Sequence, residues 1–193
     1  TIYSVLYRKK FISRKNFLSY CAAKSNFEEH PSPNIRGIEC ATGSLGHGLP
    51  FANGLALGNK INNKKEKIIV MISDGECNEG TTWEAAMFAT AQKLNNLTLI
   101  IDYNKWQATG RSEKILNIKP LDKKFKSFGW DTVSINGHNF FQIDKAFKKK
   151  NDNPKVIIAH TIKGSGVKKM EDDNNWHYRS PNQDELKSFL KEI

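Results

Sequence analysis

The sequence predicts an α/β domain in which a mostly parallel sheet is covered by helices on both faces. Three observations carry this. Apolar runs of strand length at residues 67–73, 97–102 and 155–161 alternate with stretches of helical period. These runs are apolar nearly throughout, as strands buried on both faces are. No internal repeat or low-complexity linker interrupts the alternation, and either would argue for another architecture.

The elements follow in order. Ile2, Val5 and Leu6 stand at helical spacing, with no capping residue ahead of them. Ser13 is placed to cap a helix from Arg14 to about residue 24, with Phe17 and Cys21 on one face. An irregular stretch with Pro31, Pro33 and Gly37 leads to Ala41-Thr-Gly-Ser-Leu-Gly-His-Gly-Leu-Pro50. Pro50 suits the first turn of a helix, and Ala52, Gly54, Ala56 and Gly58 predict that this helix packs tightly. Lys64, Lys65 and Lys67 mark a surface turn before the strand 67–73. A helix over 82–94 follows, with Trp83, Ala86, Met87 and Thr90 on one stripe. After the turn Asn95-Asn96 comes the strand 97–102. Residues 103–119 have no strong period, and a loop of that length in a compact domain is more often functional than idle. Then come a short helix over 120–128, a strand over 131–135, a helix over 139–150 capped by Asn139, and a strand over 155–161. Residues 162–182 read as irregular and 183–193 as a terminal helix.

The chain has 193 residues, 21.9 kDa, with a formal charge of +10. That length allows a core burying roughly 70% of the unfolded surface. No apolar run approaches the roughly 18 residues that span a bilayer. The three cysteines form no Cys-x-x-Cys pair, which points to a reducing compartment and so to the cytoplasm. The basic charge suggests nucleic acid, but 25 of the 30 cations are Lys and 5 are Arg. Lys, Asn (19) and Ile (18) share A/T-rich codons, so composition accounts for the charge. Arg, the fork that reads phosphate and guanine, is scarce, so neither nucleic acid nor membrane is expected as a partner. Residue 1 is Thr, no targeting sequence is legible, and the chain reads as starting inside a helix, as a truncated frame would.

In a parallel α/β sheet, ligands bind beyond the carboxyl ends of the strands. One strand ends in Ser73-Asp74-Gly75-Glu76, the next in Ile101-Asp102-Tyr103-Asn104. Asp74 and Asn104 are 30 residues apart, one strand–helix–strand unit, which brings both to one sheet edge. A carboxylate, an amide oxygen and nearby carbonyls are hard ligands that suit Mg²⁺ or Ca²⁺ rather than Zn²⁺. Gly75 admits a close backbone approach, and the helix beyond favours an anion. Metal plus diphosphate is the natural reading. Taken alone, Asp-Gly is a turn and Asn104 a helix cap. The longer pattern is more specific: Asp74-Gly-Glu-x-x-Glu-Gly-x-x-Trp-Glu-Ala85, then Asn96-Leu-x-x-Ile-Ile-Asp-x-Asn-x-x-Gln107. It resembles the thiamine-diphosphate motif of transketolases, and most of all the amino-terminal subunit of the split, two-chain type, from about Thr1 to Asp184.

That resemblance implies roles residue by residue. Asp74, Asn104 and the Trp106 carbonyl would hold Mg²⁺, for which Ca²⁺ or Mn²⁺ can substitute. Gly75 and Glu76 would lie at the diphosphate, and Gly43, Leu45 and His47 beside the aminopyrimidine. His30, in a His-Pro pair, would contact donor-sugar hydroxyls. Lys163 and His177 would reach the diphosphate, with His177 near the reacting centre; Tyr178 stands where the family usually has Gly. Glu79 and Glu84 match carboxylates of a proton network between paired active sites. On this reading His30, His177 and Glu79 are the catalytic side chains. Plainer roles stay open: His47 as a helix cap, Glu84 as a surface charge, His138 and Cys77 as structural residues, and Lys148–Lys150 as a solvated helix end.

The implied activity is transfer of a two-carbon ketol unit from a ketose phosphate to an aldose. The family's activating Glu and most substrate-phosphate cations lie on a pyrimidine-binding domain that has no counterpart here. A carboxy-terminal partner chain, with two copies of each chain in the assembly, would supply them, and this chain alone would be inactive. The family's amino-terminal elements are likewise unmatched. Residues 1–193 are thus expected to be a single diphosphate-binding domain lacking its first elements and exposing apolar surface. The alternatives are a 2-oxo-acid dehydrogenase alpha chain, a deoxyxylulose-phosphate synthase-like enzyme, or a non-catalytic remnant. The sugars and the pathway, pentose phosphate or modified-sugar synthesis, are not legible.

Overall fold

The computed structural model describes residues 1–193 and divides into two compact units, Thr1–Ser44 and Leu45–Ile193.

The first unit holds α1 (Ile2–Arg8) and α2 (Arg14–Leu18). Its core is Tyr3, Leu6, Ile12, Phe27, Ile35 and Ile38. Helix α1 forms where its spacing predicts, but it buries Tyr3 and Leu6 and leaves Ile2 and Val5 about half exposed. Tyr3 wins the core position because its ring packs edge-on against Phe27 while its hydroxyl donates to the Glu28 carbonyl at 2.8 Å. Ser13 caps α2 by accepting from the Asn16 N–H at 3.1 Å. The helix stops six residues short of the expected end. The Ser19 hydroxyl takes the Asn16 carbonyl, and the Cys21 N–H turns away to the Phe27 carbonyl. Cys21, in the left-handed region, therefore shares no helix face with Phe17.

The second unit is built on four parallel strands in the order β1-β2-β6-β5: β1 (Ile68–Ser73), β2 (Leu97–Tyr103), β5 (Asp131–Asn136) and β6 (Lys155–His160). A short hairpin, β3 (Trp106–Gln107) with β4 (Gly110–Arg111), fills part of the long loop. The helices are α3 (Gly48–Ile61), α4 (Gly80–Ala91), α5 (Ser112–Ile115), α6 (Leu121–Ser127), α7 (Phe140–Lys148) and α8 (Gln183–Phe189).

One sheet face carries the main core. Leu97, Leu99 and Ile101 of β2 and Val156 and Ile158 of β6 pack under α3, α4 and α6. Full burial of each such side chain contributes about 1.5–3 kcal/mol. Alanines set the approach of the helices: Ala52 and Ala56 on α3, Ala85, Ala86 and Ala89 on α4. The face of α4 is thus rotated from the expected stripe, since Thr82 and the alanines are buried and Met87 is half exposed. Two hydrogen bonds hold that rotation, Thr82 Oγ1 to the Glu76 carbonyl and Trp83 Nε1 to the Cys77 carbonyl. Gly54 and Gly58 face open space, so the tight packing of α3 rests on its alanines and on Asn53, whose amide donates to the Ala85 carbonyl.

On the opposite face α7 covers β5 and β6, burying Ile135, Ala146, Ile157 and Ala159. Cover does not extend to β1, where Ile69 and Met71 are 55% and 67% exposed. Lys155 is buried, and its ammonium donates to the Ala146, Phe147 and Lys149 carbonyls, satisfying the open end of α7. No helix is long and apolar enough to cross a membrane.

Candidate active site

Register delivers the two strand ends to one place. Ser73 pairs with Asp102, and the Asp74 N–H continues the ladder to the Asp102 carbonyl. Asp74 is fully buried, and neither carboxylate oxygen has a well-formed hydrogen bond. Burial pushes its pKa up and nearby Asp102 adds to this. The Ser112 hydroxyl and the Lys105 N–H pull the other way; Ser112 is itself buried and makes no well-formed hydrogen bond. A buried carboxylate with both oxygens unpaired is costly unless a cation meets it. Carboxylate, amide and carbonyl oxygens are the donors a hard divalent ion takes, and no group of three or more His, Cys, Asp or Glu side chains gathers in the chain to hold a softer one.

Asn104, beyond β2, lies half-buried with its Nδ2 donating to Asp102 Oδ2 at 3.1 Å. Its Oδ1 accepts from the Trp106 N–H at 2.9 Å and keeps a second lone pair. Trp106 opens the β3–β4 hairpin; its indole N–H donates to Asp172 Oδ1, and the Arg111 guanidinium lies 3.8 Å over its ring. Gly75 sits in a cradle, since an added Cβ would meet the Gln107 side chain at 3.1 Å.

Glu76, expected at the diphosphate, is engaged by the loop that leads into α3. Its Oε1 accepts from the backbone N–H groups of Gly46 (3.0 Å) and Gly48 (3.4 Å) at the start of α3. Burial pushes its pKa up in spite of those donors, which pull it down. Gly46 is clamped from the other side, its carbonyl accepting from Thr81 Oγ1 at 2.8 Å. At its φ of +82° an added Cβ would stand 2.4 Å from that hydroxyl, so only glycine fits. The loop that presents Leu45, about half exposed, and His47 is therefore fixed to the 74–81 segment. His47 occupies the cap position of α3 without a side-chain cap bond; its Nδ1 lies 3.1 Å from the Leu45 carbonyl.

Lys163 Nζ and His177 Nδ1 lie 3.4 Å apart, so the structure pairs two of the expected diphosphate residues. The His138 Nε2 accepts from the Ile162 N–H and so latches the Lys163 loop, a structural role. Asp102, Asn104, Thr161 and Lys163 share the lining of a cavity of about 730 Å³ with the apolar Met71 and Ile100. Within the first unit, the His30 imidazole lies over Gly43, whose Cβ, if present, would meet the ring at 2.9 Å. Glu79 and Glu84 are both exposed, and Glu84 lines a cavity of about 470 Å³ with Pro50, Gly54 and Phe88. Cys77 is buried and its thiol pKa is pushed well up by that burial, so it packs rather than reacts.

Sequence reasoning passed over Asp102, Arg111, Ser112 and Asp172. Asp102 carried a signal, a charged residue inside an apolar strand two positions before Asn104. The partners of the other three are set by loop conformation.

A parallel α/β sheet with a buried carboxylate and a fixed amide oxygen at neighbouring strand ends places two hard donors where α/β domains bind their ligands. The chain belongs to the family described as transketolase, thiamine diphosphate binding domain, whose model matches residues 1–193. It is 35% identical over its whole length to one of the subunits of the apulose-4-phosphate transketolase of Phocaeicola vulgatus, spanning 69% of that protein. It is 39% identical over 91% of its length to the corresponding protein of Actinobacillus succinogenes, spanning 64% of it. It spans 31% of human transketolase, at 32% identity. Among solved structures it is similar to the transketolase of Campylobacter jejuni, with TM-score 0.86 and 30% identity over 90% of this chain and 29% of that one.

Proposed function

We propose that this chain is the diphosphate-binding subunit of a two-chain transketolase, moving a two-carbon ketol unit from a ketose phosphate to an aldose. The observation that carries the reading is the Asp74 carboxylate, fully buried with both oxygens unpaired, next to the fixed Asn104 amide. Asp74, Asn104 and the Trp106 carbonyl would hold Mg²⁺. Gly75, Lys163 and His177 would take the diphosphate, and Gly43, Leu45 and His47 would border the aminopyrimidine. Glu76 serves that set indirectly, by holding the 46–48 backbone. When bound, thiamine diphosphate supplies the electron sink that a protein lacks.

The remaining duties fall to this chain's own side chains. His30 would hold donor hydroxyls, His177 would carry a proton near the reacting centre, and Glu79 would need a partner chain to leave solvent. Relatives named as single subunits of their transketolases support a second chain. In this proposal that chain bears the pyrimidine-binding domain, and the assembly holds two copies of each. The exposure of Ile69 and Met71 supports further elements over that sheet face in the whole protein. Sugar phosphates as substrates, through the pentose phosphate pathway or modified-sugar synthesis, and a cytoplasmic location complete the proposal.

Calorimetry of thiamine diphosphate binding with and without Mg²⁺, on this chain together with its partner chain, tests the reading. Metal-dependent binding is expected, followed by ketol transfer between a ketose phosphate and an aldose phosphate. Absence of metal-dependent binding by the assembled pair would overturn it.

A further inference from the structure

The Asn104 amide meets a neighbour of opposite hydrogen-bonding sense at each end. Its Nδ2 faces the Asp102 carboxylate and its Oδ1 faces the Trp106 backbone N–H. A carboxylate only accepts and a backbone N–H only donates. A flipped amide would therefore set oxygen against oxygen and N–H against N–H. Asp102 is itself held: its second oxygen, Oδ1, accepts from the Thr161 hydroxyl just beyond β6. Its backbone is paired with Ser73 of β1 and Ala159 of β6. Both carboxylate oxygens are thus engaged by protein donors.

We propose that Asp102, braced by Thr161, is a positioning residue that locks the Asn104 amide with its oxygen toward the cation beside Asp74. The inference rests on the metal-site reading given above. An unrestrained amide turns either its oxygen or its NH₂ toward a neighbour. Only the oxygen is a ligand for a hard divalent ion; the NH₂ group meets it with positive hydrogens. Fixing the orientation before the ion arrives removes the wrong half of those conformations. Through Thr161 the lock also ties the metal site to the start of the loop that carries Lys163.

The test uses the ¹⁵N-labelled chain assembled with its partner chain, Mn²⁺ as the probe and thiamine diphosphate present, with metal affinity read by electron paramagnetic resonance. Asp102→Asn keeps the shape but replaces a charged acceptor for the Asn104 Nδ2 by a neutral one, and its own NH₂ can be met only by a Thr161 hydroxyl turned to accept. Mn²⁺ affinity is expected to fall about tenfold, as for other residues that orient a metal ligand. The side-chain NH₂ signals of Asn104, read before Mn²⁺ is added and identified as the pair missing in Asn104→Asp, are expected to shift. Thr161→Val retains the Asp102 charge and removes one of its two bonds; it should move both readouts in the same direction, and it carries the test if Asp102→Asn does not fold. Unchanged Mn²⁺ affinity in both variants would overturn the proposal. So would weakened affinity with unmoved Asn104 signals, since charge alone would then be acting. Failure of the unmodified assembly to bind Mn²⁺ would instead overturn the metal-site reading, and the proposal with it.

Discussion

The Glu76 carboxylate accepts a hydrogen bond from the Gly46 backbone N–H at 3.0 Å, joining residues 30 apart in the sequence. A second bond to Gly48 places the charge at the first turn of α3, where the helix dipole favours an anion. Glu76→Gln keeps an acceptor but loses the charge. Burial holds the Glu76 pKa up, so losing the charge should change stability by less than about 1 kcal/mol. Glu76→Ala should cost about 1–3 kcal/mol, because the Gly46 donor is then left buried without a partner. Urea denaturation followed by circular dichroism at neutral pH measures both. Equal stability of all three proteins would show that the loop is held by Thr81 alone.

Asp74 predicts a stability difference that changes sign with ligand. Its folded pKa is raised above the ordinary carboxylate value of 3.8, chiefly by burial. The folded state therefore holds the proton more tightly than the unfolded chain. Stability without metal is greatest below that value and declines as pH rises through the raised pKa. Asp74→Asn removes the decline and, without metal at pH 7, should stabilise by about 1–3 kcal/mol, because the amide carries no charge to bury. With Mg²⁺ and thiamine diphosphate the order should reverse, because the Asn variant gains nothing from metal. Thermal unfolding across pH, with and without both ligands, measures this. A variant still stabilised by Mg²⁺ and thiamine diphosphate would remove Asp74 from the metal site.

The strands were legible because parallel strands buried on both faces are apolar nearly throughout, as 97–101 and 156–159 are. The placement of Asp74 near Asn104 was legible for the same reason, since one strand–helix–strand unit fixes which ends meet. The end of α2 was not, because it depends on the Ser19 hydroxyl and on a carbonyl at Phe27. Nor was the buried face of α4, where small alanines outcompete Trp83 and Met87 by allowing closer approach. Glu76 was legible as a residue of the motif but not as a loop anchor. Asp172 meets Trp106 and Arg111 from 66 and 61 residues away through loops of no regular period. No local pattern encodes that meeting.

Glu185 predicts an acid-sensitive carboxy-terminal segment. Lys169, the Asn182 N–H and Arg179 hold its pKa down to about 2, against an ordinary 4.5. Arg179 in turn lies 4.3 Å over Trp176, which packs on Phe189 of α8. A depressed acid stabilises fully above its unfolded pKa and loses that contribution as pH falls through the folded one. Amide exchange protection in α8, corrected for intrinsic rates, should therefore drop between pH 4.5 and about 2 relative to β2. Glu185→Gln should show weaker protection throughout and no step. A step that persists in the Gln variant would assign it to another carboxylate.

Arg111 couples the two loops that carry the expected ligands. Its guanidinium takes both oxygens of Asp172 and covers the Trp106 ring, while the Asp172 N–H donates to the Lys163 carbonyl at 2.8 Å. Trp106 and Lys163 are thereby held through one residue, Asp172, by its carboxylate and its backbone N–H respectively. The pair is partly exposed, so its share of global stability is small, within about 1 kcal/mol. Its effect on binding is larger, because loops held in their bound arrangement need not be ordered by the ligand. Arg111→Lys keeps the charge but cannot bridge two oxygens and cover a ring together. Thiamine diphosphate affinity, measured by calorimetry with Mg²⁺ and the partner chain, should fall about three- to tenfold while the unfolding midpoint barely moves. Unchanged affinity would mean that the Trp106 and Lys163 loops hold their arrangement without the Arg111–Asp172 clasp.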